Sequence, residues 1–184
     1  MPYVAKYWLL SVFCLCIATA LSARHITGGE LSYKFLSGSG VDNRYEITLK
    51  LYRDCFSNGA QLDGSAFITI YKKSAAGQPQ IFKTYEINMT TRNTLTLRSP
   101  GKCIDNPPAV CYEVGIYTFE VTLPAEPAGY SIAYQRCCRI ENMLNISGSG
   151  QVGATYSAEI PGTSVAADAP KNSSPVFAAK DTTI

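Results

Sequence analysis

A single histidine, His25, is present among 184 residues. That excludes multi-histidine metal sites and most histidine-based acid–base or triad catalysis within the chain. Charge is also sparse. Lys, Arg, Asp and Glu together make up 16% of residues and balance to a formal +2. Such a balance gives no electrostatic reason to expect a nucleic-acid partner, whose binders carry a basic patch or tract. One tryptophan stands against twelve tyrosines and seven phenylalanines, a skew common in β proteins. Beyond residue 21 no apolar run approaches the ~20 residues a membrane-spanning helix needs. No amphipathic helix of three or more turns is visible. The apolar fraction of 46% is enough for a folded core and argues against disorder.

The first 23 residues read as a targeting segment. Lys6 supplies a positive start, and Trp8 to Leu21 is apolar over the length of a signal-peptide core. Ala18-Thr19-Ala20 and Leu21-Ser22-Ala23 each offer a small-residue cleavage point, and the second lies nearer the first β-like sequence. The mature protein is therefore expected to begin at Arg24, to be secreted or held at the cell surface, and not to insert in a membrane after cleavage. A lipid attachment at Cys14 or Cys16 is disfavoured, because Val12-Phe13 and Cys14-Leu15 precede them in place of small residues.

Strict alternation then dominates. Tyr45, Ile47, Leu49 and Leu51 alternate with Arg44, Glu46, Thr48 and Lys50, the period of a strand with one buried and one wet face. Tyr117 to Leu123 and Tyr130 to Tyr134 repeat the pattern. Weaker strands are expected at 30–36, 66–72, 81–89, 93–98 and 154–160. Turn clusters such as Ser37-Gly38-Ser39-Gly40, Ser57-Asn58-Gly59 and Pro124 to Gly129 separate them. The expected fold is all-β: an antiparallel β-sandwich, immunoglobulin-like or related, stabilised by disulfides. It would occupy residues 24–160. Residues 161–184 turn to Ala, Ser, Thr and Pro and read as a closing strand or linker, cut short at Ile184.

Of seven cysteines, Cys14 and Cys16 lie in the leader, leaving Cys55, Cys103, Cys111, Cys137 and Cys138. In an exported chain disulfides are the default. Cys103 and Cys111 flank a proline-rich loop that a bridge could close, worth about 2.5 kcal/mol on the chain-entropy account. Cys55 follows one strong strand and Cys137-Cys138 ends another. Adjacent strand residues face opposite ways, and Cys138 shares parity with Tyr130, Ile132 and Tyr134. The expected pairs are Cys103–Cys111 and Cys55–Cys138, with Cys137 an unpaired thiol able to link a dimer. Zinc is disfavoured because the spacings lack paired C-x2-4-C knuckles. A nucleophilic cysteine between Arg136 and Arg139 would lack a proton acceptor.

Other polar residues read as structural. Gly28-Gly29, between His25 and Glu30, suits a bulge or turn better than a ligand site. Asp54, Arg136 and Arg139 suit an ion pair that orders the strands. A glycosidase-like role for Asp54 would need a second positioned acid, and nothing in the sequence positions Glu113 or Glu141 for it. Asp63-Gly64 and Asp42-Asn43 suit turns, since neither has the dense oxygen spacing of a calcium loop. Three Asn-x-Ser/Thr sequons, at Asn88, Asn145 and Asn172, would matter only in a eukaryotic secretory pathway. The tyrosines, at alternating positions, are expected in the core more than on a sugar-binding platform.

One set of segments goes further. His25-Ile26-Thr27-Gly28-Gly29-Glu30, Ile47 to Cys55 ending in Tyr52-Arg53-Asp54-Cys55, Gly115-Ile116-Tyr117, Gly129-Tyr130, Tyr134-Gln135-Arg136-Cys137-Cys138-Arg139, Asn145-Ile146 and Asn172-Ser173-Ser174-Pro175-Val176-Phe177 occur in this order. Together they resemble the N-terminal domain of large exported Bacteroidetes surface proteins, which continue into PKD-type repeats and a gliding-motility-associated or type IX sorting domain. The resemblance covers nearly all of the mature chain. It implies a non-catalytic cell-surface or adhesin-type domain with no cofactor, whose partner is a surface protein or a glycan. The alternative is a carbohydrate-binding module or hydrolase accessory domain. Lys171 stands where such proteins usually carry a cysteine, which would account for an odd thiol. The repeats and sorting domain are absent from this sequence.

Overall fold

The computed structural model describes residues 26–74, 78–96, 106, 109–141, 143–164, 168 and 171–176. The expected leader at 1–23, His25 and Cys103 lie outside them. Eight strands follow in chain order: β1 (Ile26–Gly38), β2 (Asp42–Asp54), β3 (Ser65–Lys72), β4 (Gln80–Asn88), β5 (Thr91–Thr96), β6 (Cys111–Pro124), β7 (Gly129–Arg136) and β8 (Ala154–Pro161). Every expected strand has a counterpart, and residues 97–98 of the one expected at 93–98 lie outside the described residues. A 3-10 turn lies at Ser149–Gln151.

The strands form two antiparallel four-stranded sheets, ordered β1-β2-β6-β5 and β4-β3-β7-β8. With β1, β2, β6 and β5 as A, B, E and D, and β3, β7 and β8 as C, F and G, this is the immunoglobulin strand order, with β4 added beside C. The protein is an immunoglobulin-like β-sandwich.

Alternation explains the packing. Ile47, Leu49 and Leu51 of β2 point inward and are completely buried, as are Ile68 and Ile70 of β3, Tyr117 of β6 and Ile132 of β7. They belong to one core built from both sheets. Each such aliphatic side chain contributes roughly 1.5–3 kcal/mol by leaving water. Tyr33, Tyr45, Tyr117, Tyr130 and Tyr134 belong to the same core and Tyr85 and Tyr156 pack against it, whereas Tyr112 is exposed. Tyr33 and Phe35 meet Tyr45 edge-on, and Tyr134 stacks on Tyr156. Burial pushes the Tyr45 and Tyr130 hydroxyls up to about 12, reinforced at Tyr45 by Tyr33 and Tyr130 and at Tyr130 by Glu126 and Asp42. Tyr130, the second residue of β7, donates its hydroxyl back to the Pro124 carbonyl at 2.9 Å, the tyrosine corner of immunoglobulin-like folds. Gly129 before it has φ 82°, and a Cβ there would collide with the Ile160 carbonyl and Gly162. Only glycine meets both demands.

Asp42-Asn43, expected as a turn, instead begins β2, with Asn43 buried. The turn falls earlier, at Ser39 to Val41, because the β1–β2 ladder runs on to Gly38 and Asn43.

The segment after β8 does not form a ninth strand within the described residues. Asn172–Val176 crosses the free edge of β1. Tyr33 and Phe35 donate their backbone N–H groups to the hydroxyls of Ser174 and Ser173 at 3.0 and 2.9 Å, and the Ser174 N–H returns a bond to the Tyr33 carbonyl at 2.8 Å. The Ser-Ser pair thus covers donors that an edge strand would otherwise present to another chain.

Candidate functional site

One end of the sandwich gathers the residues singled out in the sequence. It consists of the β2–β3 loop (55–64), the β7–β8 connection (137–153) and the start of β1. Cys55 and Cys111 are joined there, with Cα atoms 5.4 Å apart. Cys137 and Cys138 are joined to each other, across a cis peptide bond.

Both expected pairings are therefore corrected. Cys111 pairs with Cys55, not Cys103, and Cys55 pairs with Cys111, not Cys138. The β2–β6 register explains the first. Asp54 lies opposite Tyr112, so the next antiparallel position sets Cys55 opposite Cys111, and the Cys55 N–H reaches the Cys111 carbonyl at 3.2 Å. The second correction follows from where β7 stops. It ends at Arg136, so strand parity no longer governs residues 137 and 138. Cys137, expected as an unpaired thiol, is bonded to its neighbour, and a dimer through it would require that bond to open first.

Arg53 was not singled out by sequence, yet it organises the β2–β3 loop. Alternation along β2 carries it to the inner face, where it is only 4% exposed. Its guanidinium donates to the carbonyls of Ala60, Ser57 and Gly59 and to Glu113. Glu113 also accepts from Arg92 at 2.7 Å. Burial alone would raise the Glu113 carboxyl, but the hydrogen bonds and charges of Arg92 and Arg53 outweigh it and hold the group below its ordinary value. Glu113 is thus an anchor between two arginines, not an acid awaiting a proton. The signal for this network was an arginine at a core-parity position two residues before a cysteine.

The expected ion pair of Asp54 with Arg136 and Arg139 is also corrected. Arg136 pairs with Asp63. Asp54 caps its own turn by accepting the Phe56 N–H at 2.9 Å, as short acidic side chains do in Asx turns. Arg139 donates to the Gly153 carbonyl at 3.0 Å. Its backbone bridges to Ile26, and the Ile140 N–H bonds the Ile26 carbonyl, so the β7–β8 connection is stitched to the start of β1. Glu30, at the edge of the Gly28-Gly29 motif, pairs with Lys50 at 2.6 Å on the outer face. Glu141 is exposed.

Between these braces a cleft of about 640 Å³ remains open. Asp63, Ser65, Phe67, Asn88, Gln135 and Arg136 line it. Phe67, on the outer face of β3, is 60% exposed. Burial lowers the Arg136 guanidinium from its ordinary value, and its Nε is buried without a hydrogen-bond partner. A second, larger cleft of about 890 Å³ lies between β1 and β8 under the Asn172–Val176 segment. Among the described residues no three His, Cys, Asp or Glu side chains cluster as metal ligands, and no helix is long and apolar enough to cross a membrane.

The fold and this end define the class: an immunoglobulin-like domain with a cross-linked loop end. Compared with known protein families, curated proteins and solved structures, the chain has no match.

Proposed function

We propose that this is a non-catalytic exported domain of the cell-surface or adhesin type, recognising a partner with its braced loop end. The observation that carries this reading is the use of the charged groups there. Arg53, Arg92 and Glu113 hold one another, and Arg136 holds Asp63. These groups fix loops and are not poised to transfer protons. Rigid loops on a sandwich end are suited to binding, because little conformational freedom is lost when a partner docks. The segments resembling exported Bacteroidetes surface domains support the same reading. Cys55–Cys111 fits export, since disulfides persist in oxidising compartments.

Two measurements test it. Antibody should label intact producing cells, and beads coated with the protein should adhere to cells or to extracellular material. Labelling only after lysis, or beads that adhere no better than bare ones, would overturn the proposal.

A further inference from the structure

We infer that the cleft beside Phe67 is a binding site for a neutral carbohydrate, which names the ligand class of the loop end and rests on the recognition reading above. Its volume of about 640 Å³ lies inside the roughly 300–1,000 Å³ of small-ligand sites, enough for one or two sugar rings. The chemistry of the walls selects among ligands.

Phe67 offers an apolar face. The C–H side of a pyranose ring is apolar as well, and aromatic faces bury such surfaces well. The polar groups around Phe67 are of both senses. Asn88 and Gln135 each carry an amide donor and an amide acceptor. Arg136 and Asp63 form an ion pair on the cleft wall, with side chains 24% and 34% exposed. Their charges cancel, so the pair does not favour an anion. It sets a planar donor beside an acceptor, held by a side chain that packing immobilises. Sugar hydroxyls each donate and accept, and adjacent ones present the complementary pattern.

Register places the parts together. Phe67 faces Glu86 on β4, and Ile68 faces Tyr134 on β7, so the next position sets Phe67 beside Gln135. Ser65 faces Asn88 and its hydroxyl is already given to Glu86 at 2.8 Å, which leaves the amides as the free polar groups. An extended peptide is a poorer occupant. β3 and β7 are both interior strands, so their backbone groups are spent in ladders and offer no edge for strand addition. Nothing in this site depends on a tyrosine platform. The aromatic that sequence parity put outside is a phenylalanine.

The test is a titration of the ¹⁵N-labelled full mature chain with mannobiose, cellobiose and N-acetylchitobiose, followed by heteronuclear NMR. At least one should give saturable shifts confined to residues 63–67, 88 and 134–136. Phe67→Ala and Gln135→Ala replace exposed side chains, and an unchanged spectrum elsewhere verifies the fold. Each should weaken that binding about tenfold or more, the scale expected for losing an aromatic contact or a paired amide. No saturable shift with any sugar, or binding that both variants retain, overturns the inference. The bead assay separates this from failure of the broader reading. Adhesion that survives both Phe67→Ala and periodate oxidation of target glycans would keep the adhesin proposal and overturn the carbohydrate site. Absence of adhesion together with absence of sugar binding overturns both.

Discussion

Cys55 and Cys111 face each other at the next rung of the β2–β6 ladder, one position beyond Asp54 and Tyr112, and are bonded both through sulfur and through the Cys55 N–H. The bridge joins neighbouring strands within one sheet, whereas the bridge of antibody domains spans the two sheets. It fixes the start of the β2–β3 loop directly against the start of β6.

Opening that bridge has a defined expected cost. The two cysteines are 56 positions apart, so C55S/C111S should lower stability by about 4 kcal/mol on the chain-entropy account. Urea denaturation of the double variant checks the magnitude. Non-reducing peptide mapping checks the pairing, and a Cys103–Cys111 peptide would contradict it.

Arg53 should be far less replaceable than Arg92, although both hold Glu113. Arg53→Met would strip three loop carbonyls and one carboxylate of a buried partner, for a loss of about 3–5 kcal/mol. Arg92 is 44% exposed, and Arg92→Ala should cost about 0–1 kcal/mol. Equal losses in denaturation would show that burial does not separate the two.

The same cluster imposes an acid limit. The folded carboxyl of Glu113 is depressed, so its stabilisation is fully present above the ordinary carboxylate value of 4.5. It is lost as pH falls from there through the depressed folded value. Glu113→Gln should be less stable than the native protein at neutral pH, and the difference should shrink on acidification. Melting curves at a series of pH values from neutral to strongly acidic would reveal a constant difference if the two arginines do not act in this way.

Removing the cover on β1 should change association. Ser173→Ala/Ser174→Ala leaves the N–H groups of Tyr33 and Phe35 without their hydroxyl partners, and a chain ending at Lys171 leaves the edge bare. Concentration-dependent self-association is expected, stronger for the shortened chain. Sedimentation velocity decides, and a monomer at all concentrations for both variants would assign edge protection elsewhere.

The strands were legible because each buries one face. Period two was clear at Tyr45 to Leu51 and Tyr117 to Leu123, and even weakly patterned β4 and β5 were marked by the turns around them. The cysteine pairs were not legible. Parity says which face of its own strand a residue occupies. It does not say which strand lies alongside, and Cys55–Cys111 is set by the β2–β6 register. Parity also lapses past a strand end, which is where Cys137 and Cys138 sit. Arg53 stood at a core position in the pattern, but its partners come from a loop and from one other strand. Phe67 drew no notice in sequence, because an outward aromatic within an alternating segment becomes distinctive only when Gln135 and Asn88 are brought beside it.

The thirteen residues of β2 extend about 40 Å from one end of the sandwich to the other at the usual rise of a strand. The β1–β2 turn, where Val41 is 71% exposed, therefore sits at the far pole from the bridged cysteines and the Phe67 cleft. That pole offers a mounting point. A chromophore, a biotin or a tether attached through Val41→Cys would hold every molecule in one orientation on a sensor, with the cleft turned towards the flowing sample.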